Sequence, residues 1–264
     1  MDSRVMAQPR LERQAAFWDA RAGDYADPRD SAQRAQSARR FAHVPAPARP
    51  ARGLRVLDIG SGPGAISLHA AEAGAEVTAL DVSSAMLQRL RTVVAPLPVD
   101  TAHADWRHFD VQQAGFTRAF DVAYAQMVPS FREASDFLRM EACSRDWCVF
   151  IGWGRQRNDP WLEAAFEMHG VPWEVPTGAP LAVDCLRTLG RAVRPIYWPE
   201  TWHRQPSPAA AVRDAADHLR VRGAEPDLEL LDCEATRFGA NGALAYACAV
   251  EIGLVAWQPS CARR

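Results

Sequence analysis

From residue 54 onward, short apolar runs alternate with stretches whose apolar positions recur at helical spacing. "LRVLDIG", at 54–60, reads as a buried parallel strand, because a strand covered on both faces has no polar side to show. "AISLHAAEAG" follows as a helix stopped by Gly74, and "AEVTALD" as a second strand. "SSAMLQRLRTVV" is a helix with Ser83 or Ser84 as its N-cap. "VDTAHADW" fits a third strand, "AFDVAYAQMV" a fourth, "REASDFLRMEACSRD" a helix and "WCVFIGWG" a fifth strand. Such a βα repeat predicts an α/β fold with a mostly parallel sheet doubly wound by helices.

The pattern differs on either side of this block. Residues 10–42 read as helical, and the prolines of "HVPAPARPARG" make the next segment a linker, so 1–50 form a helical cap and linker ahead of a domain over 51–264. After residue 153 come two helical patterns, "DPWLEAAFEMHG" and "LAVDCLRTLGRAV", joined by the Pro-rich loop "VPWEVPTGAP". "RPIYWPETWHR" has strand-like aromatics around Pro199. Residues 153–204 therefore read as an insertion on the substrate side. "SPAAAVRDAADHLRVRG" is a helix capped by Ser207 with Pro208 in its first position, and "GALAYACAVEIGLVAW" is a long final strand.

Composition removes several classes of function. A formal charge of −2 over 264 residues gives no hint of a nucleic-acid partner. All 30 basic residues are arginine, as codon bias in a GC-rich genome would produce. Without lysine there is no Schiff base, no pyridoxal-phosphate attachment and no Walker A lysine. None of the six cysteines is spaced as CxxC, so they read as reduced thiols of a cytoplasmic protein, and no metal site is expected. "MDSRVMAQPRLERQAA" lacks the apolar core of a signal peptide, and the longest apolar stretch is interrupted by Glu251, so no membrane span is expected.

The chemistry is concentrated in "LDIGSGPGAI". Gly60, Gly62 and Gly64 allow a ligand close to the backbone, and with Ala65 they also satisfy the dinucleotide pattern G-x-G-x-x-A. Asp58 distinguishes the two readings. A pyrophosphate is held at a helix N-terminus by amides and the dipole, and a carboxylate at its lip would repel it. A ligand carrying an ammonium group would be attracted instead. S-adenosylmethionine has that group, a ribose diol and an adenine, and no phosphate. Asp81 ends the second strand about 20 residues after Gly60, the usual distance for an acidic ribose ligand. Val82 and Met86 can supply apolar faces for adenine, although Met86 fits the core equally well. Asp105 can accept the adenine amino group while Trp106 covers the ring, and Asp110 is the rival of Asp105.

The stretch "VLDIGSGPGAISLHAAEAGAEVTALDVSSAML" resembles the first two motifs of the class I, Rossmann-like SAM-dependent methyltransferases. The resemblance carries Asp58, Gly60, Gly62, Gly64, Asp81 and Asp105 into the cofactor site, with Gln126 at the end of strand four beside them. It also implies seven strands, the last inserted antiparallel between five and six. "FWDARAGDY" is similar to the helix that covers the cofactor in small-molecule members, so Tyr25 is expected to touch the SAM carboxylate and Arg21 to pair with it.

The acceptor side is less defined. "QMVPS" after strand four is not the N-P-P-Y type, which disfavours adenine in DNA and protein glutamine as acceptors. Trp153, Trp161, Trp173, Trp198 and Trp202, with Tyr197 and His169, could box a flat or cationic substrate or simply pack the added helices. Arg155 and Arg157 could bind an acidic substrate or be solvated. His203 is the candidate base, against the ordinary structural role of a lone histidine. The expected function is methyl transfer from S-adenosylmethionine to a small molecule. The alternatives are an NAD- or FAD-dependent oxidoreductase and a SAM-binding protein without catalysis; an RNA acceptor is disfavoured by the lack of a basic balance.

Overall fold

The computed structural model describes residues 15–239 and 244–260. The N-terminal segment does not form one helix. Helix α1 occupies the described residues 15–21, a turn containing Gly23 and Pro28 interrupts the chain, and α2 (Ser31–Ala42) restarts it. Proline removes an N–H and clashes with the preceding turn, which accounts for the break. The expected linker is also packed. Val44 and Ala48 are buried, Arg49 donates to the carbonyls of Val44 and Ala42, and the Tyr124 hydroxyl donates to the Ala48 carbonyl. Prolines exclude helix here without excluding burial.

The strands are β1 (Arg55–Ile59), β2 (Glu76–Asp81), β3 (Val99–His103), β4 (Phe120–Gln126), β5 (Ser144–Asn158), β6 (Ile196–Arg204) and β7 (Tyr246–Trp257). They form a seven-stranded sheet in the order β3-β2-β1-β4-β5-β7-β6. The pairs β1·β2, β1·β4, β2·β3 and β4·β5 are parallel. β7 lies between β5 and β6, and β6 is an edge strand, where Pro199 removes no ladder bond from an interior position.

Helices α3 (Ala65–Glu72), α4 (Ser84–Val94), α5 (Ala134–Cys143), α6 (Pro160–Met168), α7 (Ala179–Thr188), α8 (Pro208–Val221) and α9 (Leu228–Phe238) complete the described elements. Ser83 is the N-cap of α4, its hydroxyl accepting from the Met86 N–H. α5 stops three residues before the expected end, because Ser144 turns its hydroxyl to the carbonyls of Asp121 and Trp147 and starts β5. α9 has no counterpart among the expected elements. It begins at an Asp227 cap and buries Leu231 and Ala235 on one face.

The chain divides into two compact units. The first holds the described residues up to Gly152, Thr177–Ile196 and those from Gly253 on; the second holds Trp153–Pro176 and Tyr197–Ile252. The second unit begins at Trp153, includes most of β6 and all of α8 and α9, and leaves α7 to the first. In the first unit, Val56, Leu57 and Ile59 of β1 are fully buried beside Val122–Ala125 of β4. Glu141 of α5 accepts from Arg191 at 2.7 Å through both oxygens and from the Trp257 indole at 2.8 Å. In the second unit, Trp161, Leu162 and Phe166 of α6 pack with Ala215 and Leu219 of α8 and Leu231 of α9. Each large apolar side chain buried in this way stabilises the fold by about 1.5–3 kcal/mol.

Candidate functional site

The C-terminal ends of β1, β2, β3 and β4 carry the residues singled out by the sequence. β1 runs into the glycine loop, where the Gly60 and Ser61 N–H groups donate to the Leu80 carbonyl at 2.7 and 3.0 Å. Gly60 and Gly62 have φ of +65° and +52°, a conformation that L side chains rarely adopt. A Cβ on Gly60 would lie 2.7 Å from Val128 Cγ2, whereas one on Gly62 would meet nothing within 4 Å. The loop is therefore closed against the β4 end at Gly60 and open at Gly62. Gly64, the N-cap residue of α3, donates to the Ser61 carbonyl at 3.0 Å.

Two buried carboxylates brace this loop. Asp58 Oδ2 accepts the Ser67 hydroxyl at 2.6 Å and the Ser67 N–H at 3.1 Å, which fixes α3 against β1. Burial pushes the Asp58 carboxyl up to about 7, against the Ser67 hydrogen bond and helped by the charge of Asp81. Asp81 Oδ2 accepts the Gly62 N–H at 2.8 Å, and its Oδ1 accepts the Ser83 N–H at 2.8 Å. Burial raises the Asp81 carboxyl as well, while these N–H donors oppose the shift. One of the loop amides that a pyrophosphate would use is thus already committed to a carboxylate.

The neighbouring strand ends complete the rim. The Ala104 N–H donates to the Asp81 carbonyl at 3.0 Å, setting Asp105 beside β2. Asp105 accepts from the Arg107 N–H at 3.0 Å and pairs with His108 at 2.9 Å, whereas Asp110 is exposed and accepts the N–H groups of Gln112 and Gln113. Trp106 is buried in a short 3-10 turn, not in the strand, and stacks near Phe109 and Phe131. Val82 is half-buried and its carbonyl accepts from His103 Nε2 at 2.9 Å, while Met86 is buried on α4. Gln126 ends β4, followed by Met127 with φ of +56°, a strained conformation for a non-glycine residue. Two buried groups here lack a hydrogen-bond partner: the Ser61 hydroxyl and the Trp106 indole N–H. Ser61 was within the motif, yet only the fold reveals that its hydroxyl is buried.

The N-terminal segment reaches the same rim. Asp19 Oδ1 accepts the Ser83 hydroxyl at 2.5 Å and the Ala85 N–H at 3.0 Å, and Arg89 of α4 donates to the carbonyls of Ala22 and Tyr25. Tyr25 is exposed, and the Arg21 guanidinium lies 4.8 Å from the Phe17 ring centroid. Asp19 and Arg89 were not singled out, because nothing local to either residue marks a contact made across more than sixty positions.

The other sequence candidates belong to the second unit. His203 is exposed on β6. Arg157 lies over the rings of Trp153 and Trp173, at 4.7 and 5.4 Å, and pairs with Asp159 at 2.8 Å, so its charge is already matched. Arg155 lies 4.4 Å from the Tyr197 ring centroid. The indole N–H of Trp161 donates to Ala211, that of Trp173 to Arg157, and those of Trp198 and Trp202 to Glu200. His169 donates to the Ala165 carbonyl and accepts the Asp227 N–H, a structural tie between α6 and the cap of α9.

The described cysteines are free, and burial pushes the Cys143 thiol up to about 12; Cys261 lies outside the described residues. No group of His, Cys, Asp and Glu among the described residues could hold a metal ion, and no described helix is long and apolar enough to cross a membrane.

Residues 56–142 match a family described as a methyltransferase domain. A comparison with curated protein sequences found no match. The fold is similar to a candidate methyltransferase from Bacillus halodurans C-125, with TM-score 0.52 and 12% identity over 86% of this chain and 98% of that one. A candidate type II methyltransferase from Anaeromyxobacter dehalogenans gives TM-score 0.53 and 20% identity over 85% and 95% of the two chains. The [4+2]-cyclase SpnF gives 0.50 and 16% over 89% and 86%. At these identities the likeness is one of fold, which hosts more than one chemistry. Residues 56–142 thus match a methyltransferase domain in sequence, and the described seven-stranded α/β architecture is similar in fold to these solved structures.

Proposed function

We propose that the protein transfers a methyl group from S-adenosylmethionine to a small-molecule acceptor. The observation that carries this reading is the pairing of Asp81 with the Gly62 N–H, with Asp58 buried behind the same loop. A carboxylate-braced loop is hostile to a pyrophosphate and complementary to a ligand with an ammonium group and hydroxyl donors. The cradle also has groups waiting for partners. Gly62 opens onto free space, and the Ser61 hydroxyl and Trp106 N–H are buried and unpartnered, a costly state that a polar ligand relieves. In this reading the Asp81 oxygens accept the ribose hydroxyls on their remaining lone pairs. Val82, Met86 and Trp106 enclose the adenine beside Asp105. The glycine loop and Gln126 line the aminoacyl side, with Tyr25 and Arg21 above it.

S-adenosylmethionine supplies a methyl group already activated by its sulfonium. The chain therefore has to align the acceptor and exclude water, since charge disperses as the methyl is transferred. The small-molecule reading draws support from the near-neutral charge and from the N-terminal segment folded onto the rim of the site. Incubation of the protein with methyl-labelled S-adenosylmethionine, a panel of small metabolites and, separately, bulk RNA tests it. Label is expected in a small-molecule product. Label in RNA, or none above a no-enzyme control in any fraction, contradicts the reading.

A further inference from the structure

The Ser83 side chain and backbone join two parts of the molecule. Its hydroxyl donates to Asp19 of α1 and accepts the Met86 N–H of α4, and its backbone N–H donates to Asp81. Asp81 in turn holds the Gly62 N–H. Contacts therefore run Asp19–Ser83–Asp81–Gly62, from the N-terminal segment to the glycine loop, passing through the Ser83 side chain to its backbone N–H. Asp19 also accepts the Ala85 N–H, so it caps α4 from a different part of the sequence, at the end of the helix where the dipole favours an anion. Its carboxyl is held below the usual carboxylate range, first by the Ser83 hydroxyl and then by the Ala85 N–H. Farther along α4, Arg89 donates to the carbonyls of Ala22 and Tyr25, so the segment is fastened at two points.

The resemblance of "FWDARAGDY" to a cofactor-covering helix makes residues 15–25 a strap over the proposed site, and we propose that Asp19 is the positioning residue that couples the closure of this strap to the Asp81 carboxylate. This rests on the cofactor reading above. A ligand held by Asp81 sets the position of Ser83 and hence the grip on Asp19. By reciprocity, a closed strap raises affinity by the same factor that the ligand favours closure.

Asp19→Ala removes both acceptor contacts, whereas Asp19→Asn keeps an acceptor oxygen in place. The test compares the full-length wild type and both variants by calorimetric titration with S-adenosylhomocysteine, and by tryptic cleavage after Arg21 with and without that ligand. In the wild type the ligand slows cleavage at Arg21. Asp19→Ala binds about five-fold more weakly, the scale of a lost helix cap, and loses the ligand-induced protection. Asp19→Asn keeps both within about two-fold. Arg89→Met, which acts on the other fastening, also loses the protection. A fall in the melting temperature of Asp19→Ala with affinity and protection unchanged makes Asp19 a structural latch only and overturns the coupling. Absence of binding in the wild type overturns the cofactor reading together with the coupling.

Discussion

Asp58 lies inside the protein with Ser67 as its hydrogen-bond donor among the described residues, and that environment sets its titration. Its carboxyl rises from 3.8 in the open chain to about 7 in the fold. The folded state therefore binds the proton more tightly, and the stability this group contributes is full below about pH 4 and is lost as the pH rises to about 7. Urea unfolding should show the wild type losing a few kcal/mol relative to Asp58→Asn over that interval, and a flat difference would contradict the assignment. A bound ammonium group favours the ionised carboxylate, so affinity for the proposed ligand should increase through the same range. The placement of Asp58 and Asp81 near strand ends beside the glycine loop was legible in the sequence, because strand ends and glycine spacing are local signals. The identity of their partners was not. Ser67, the Gly62 N–H and Ser83 become neighbours only once β1 and β2 pair in register.

Among the elements, the glycine loop and the end of β4 form one close-packed joint. A methyl on Gly60 meets Val128 at 2.7 Å in a backbone conformation unfavourable to any side chain. Gly60→Ala should destabilise the protein by about 1–3 kcal/mol. Val128→Ala in the same chain should recover the steric part and leave the backbone part, which a double-mutant cycle of urea midpoints separates. Strictly additive effects would mean that the two residues do not touch. Strands β1, β2 and β4 were predictable because buried parallel strands read as apolar runs, whereas β3 is polar and only half-buried and was placed by the βα alternation. The break between α1 and α2, the burial of Val44 and Ala48 within the 43–53 segment and the whole of α9 were less accessible. Val44 and Ala48 are too isolated to form a pattern, and the amphipathic face of α9 is only Leu231 and Ala235. Asp19 illustrates the same limit, since the helix N–H it caps is 66 residues away.

On the scale of the whole molecule, the proposed cofactor residues belong to the first unit, while His203, Arg155, Arg157 and the Trp-rich segment belong to the second. Several of the second unit's aromatic and basic groups have partners within that unit. Arg157 lies against two indole rings and Asp159, and two further indoles share Glu200. Of the aromatic residues that the sequence allowed to be either substrate box or core, Trp161 is fully buried in the core of this unit. The glycine loop lies within the 56–142 match, and the proposed selection rests on the Asp81 carboxylate that already engages the Gly62 N–H. Calorimetric titration of the full-length protein at pH 8, first with S-adenosylhomocysteine and then with NADH, tests that selection directly. The account predicts saturable heat at one nucleoside per chain for the first and none for the second. Saturation by NADH with no response to S-adenosylhomocysteine would contradict it.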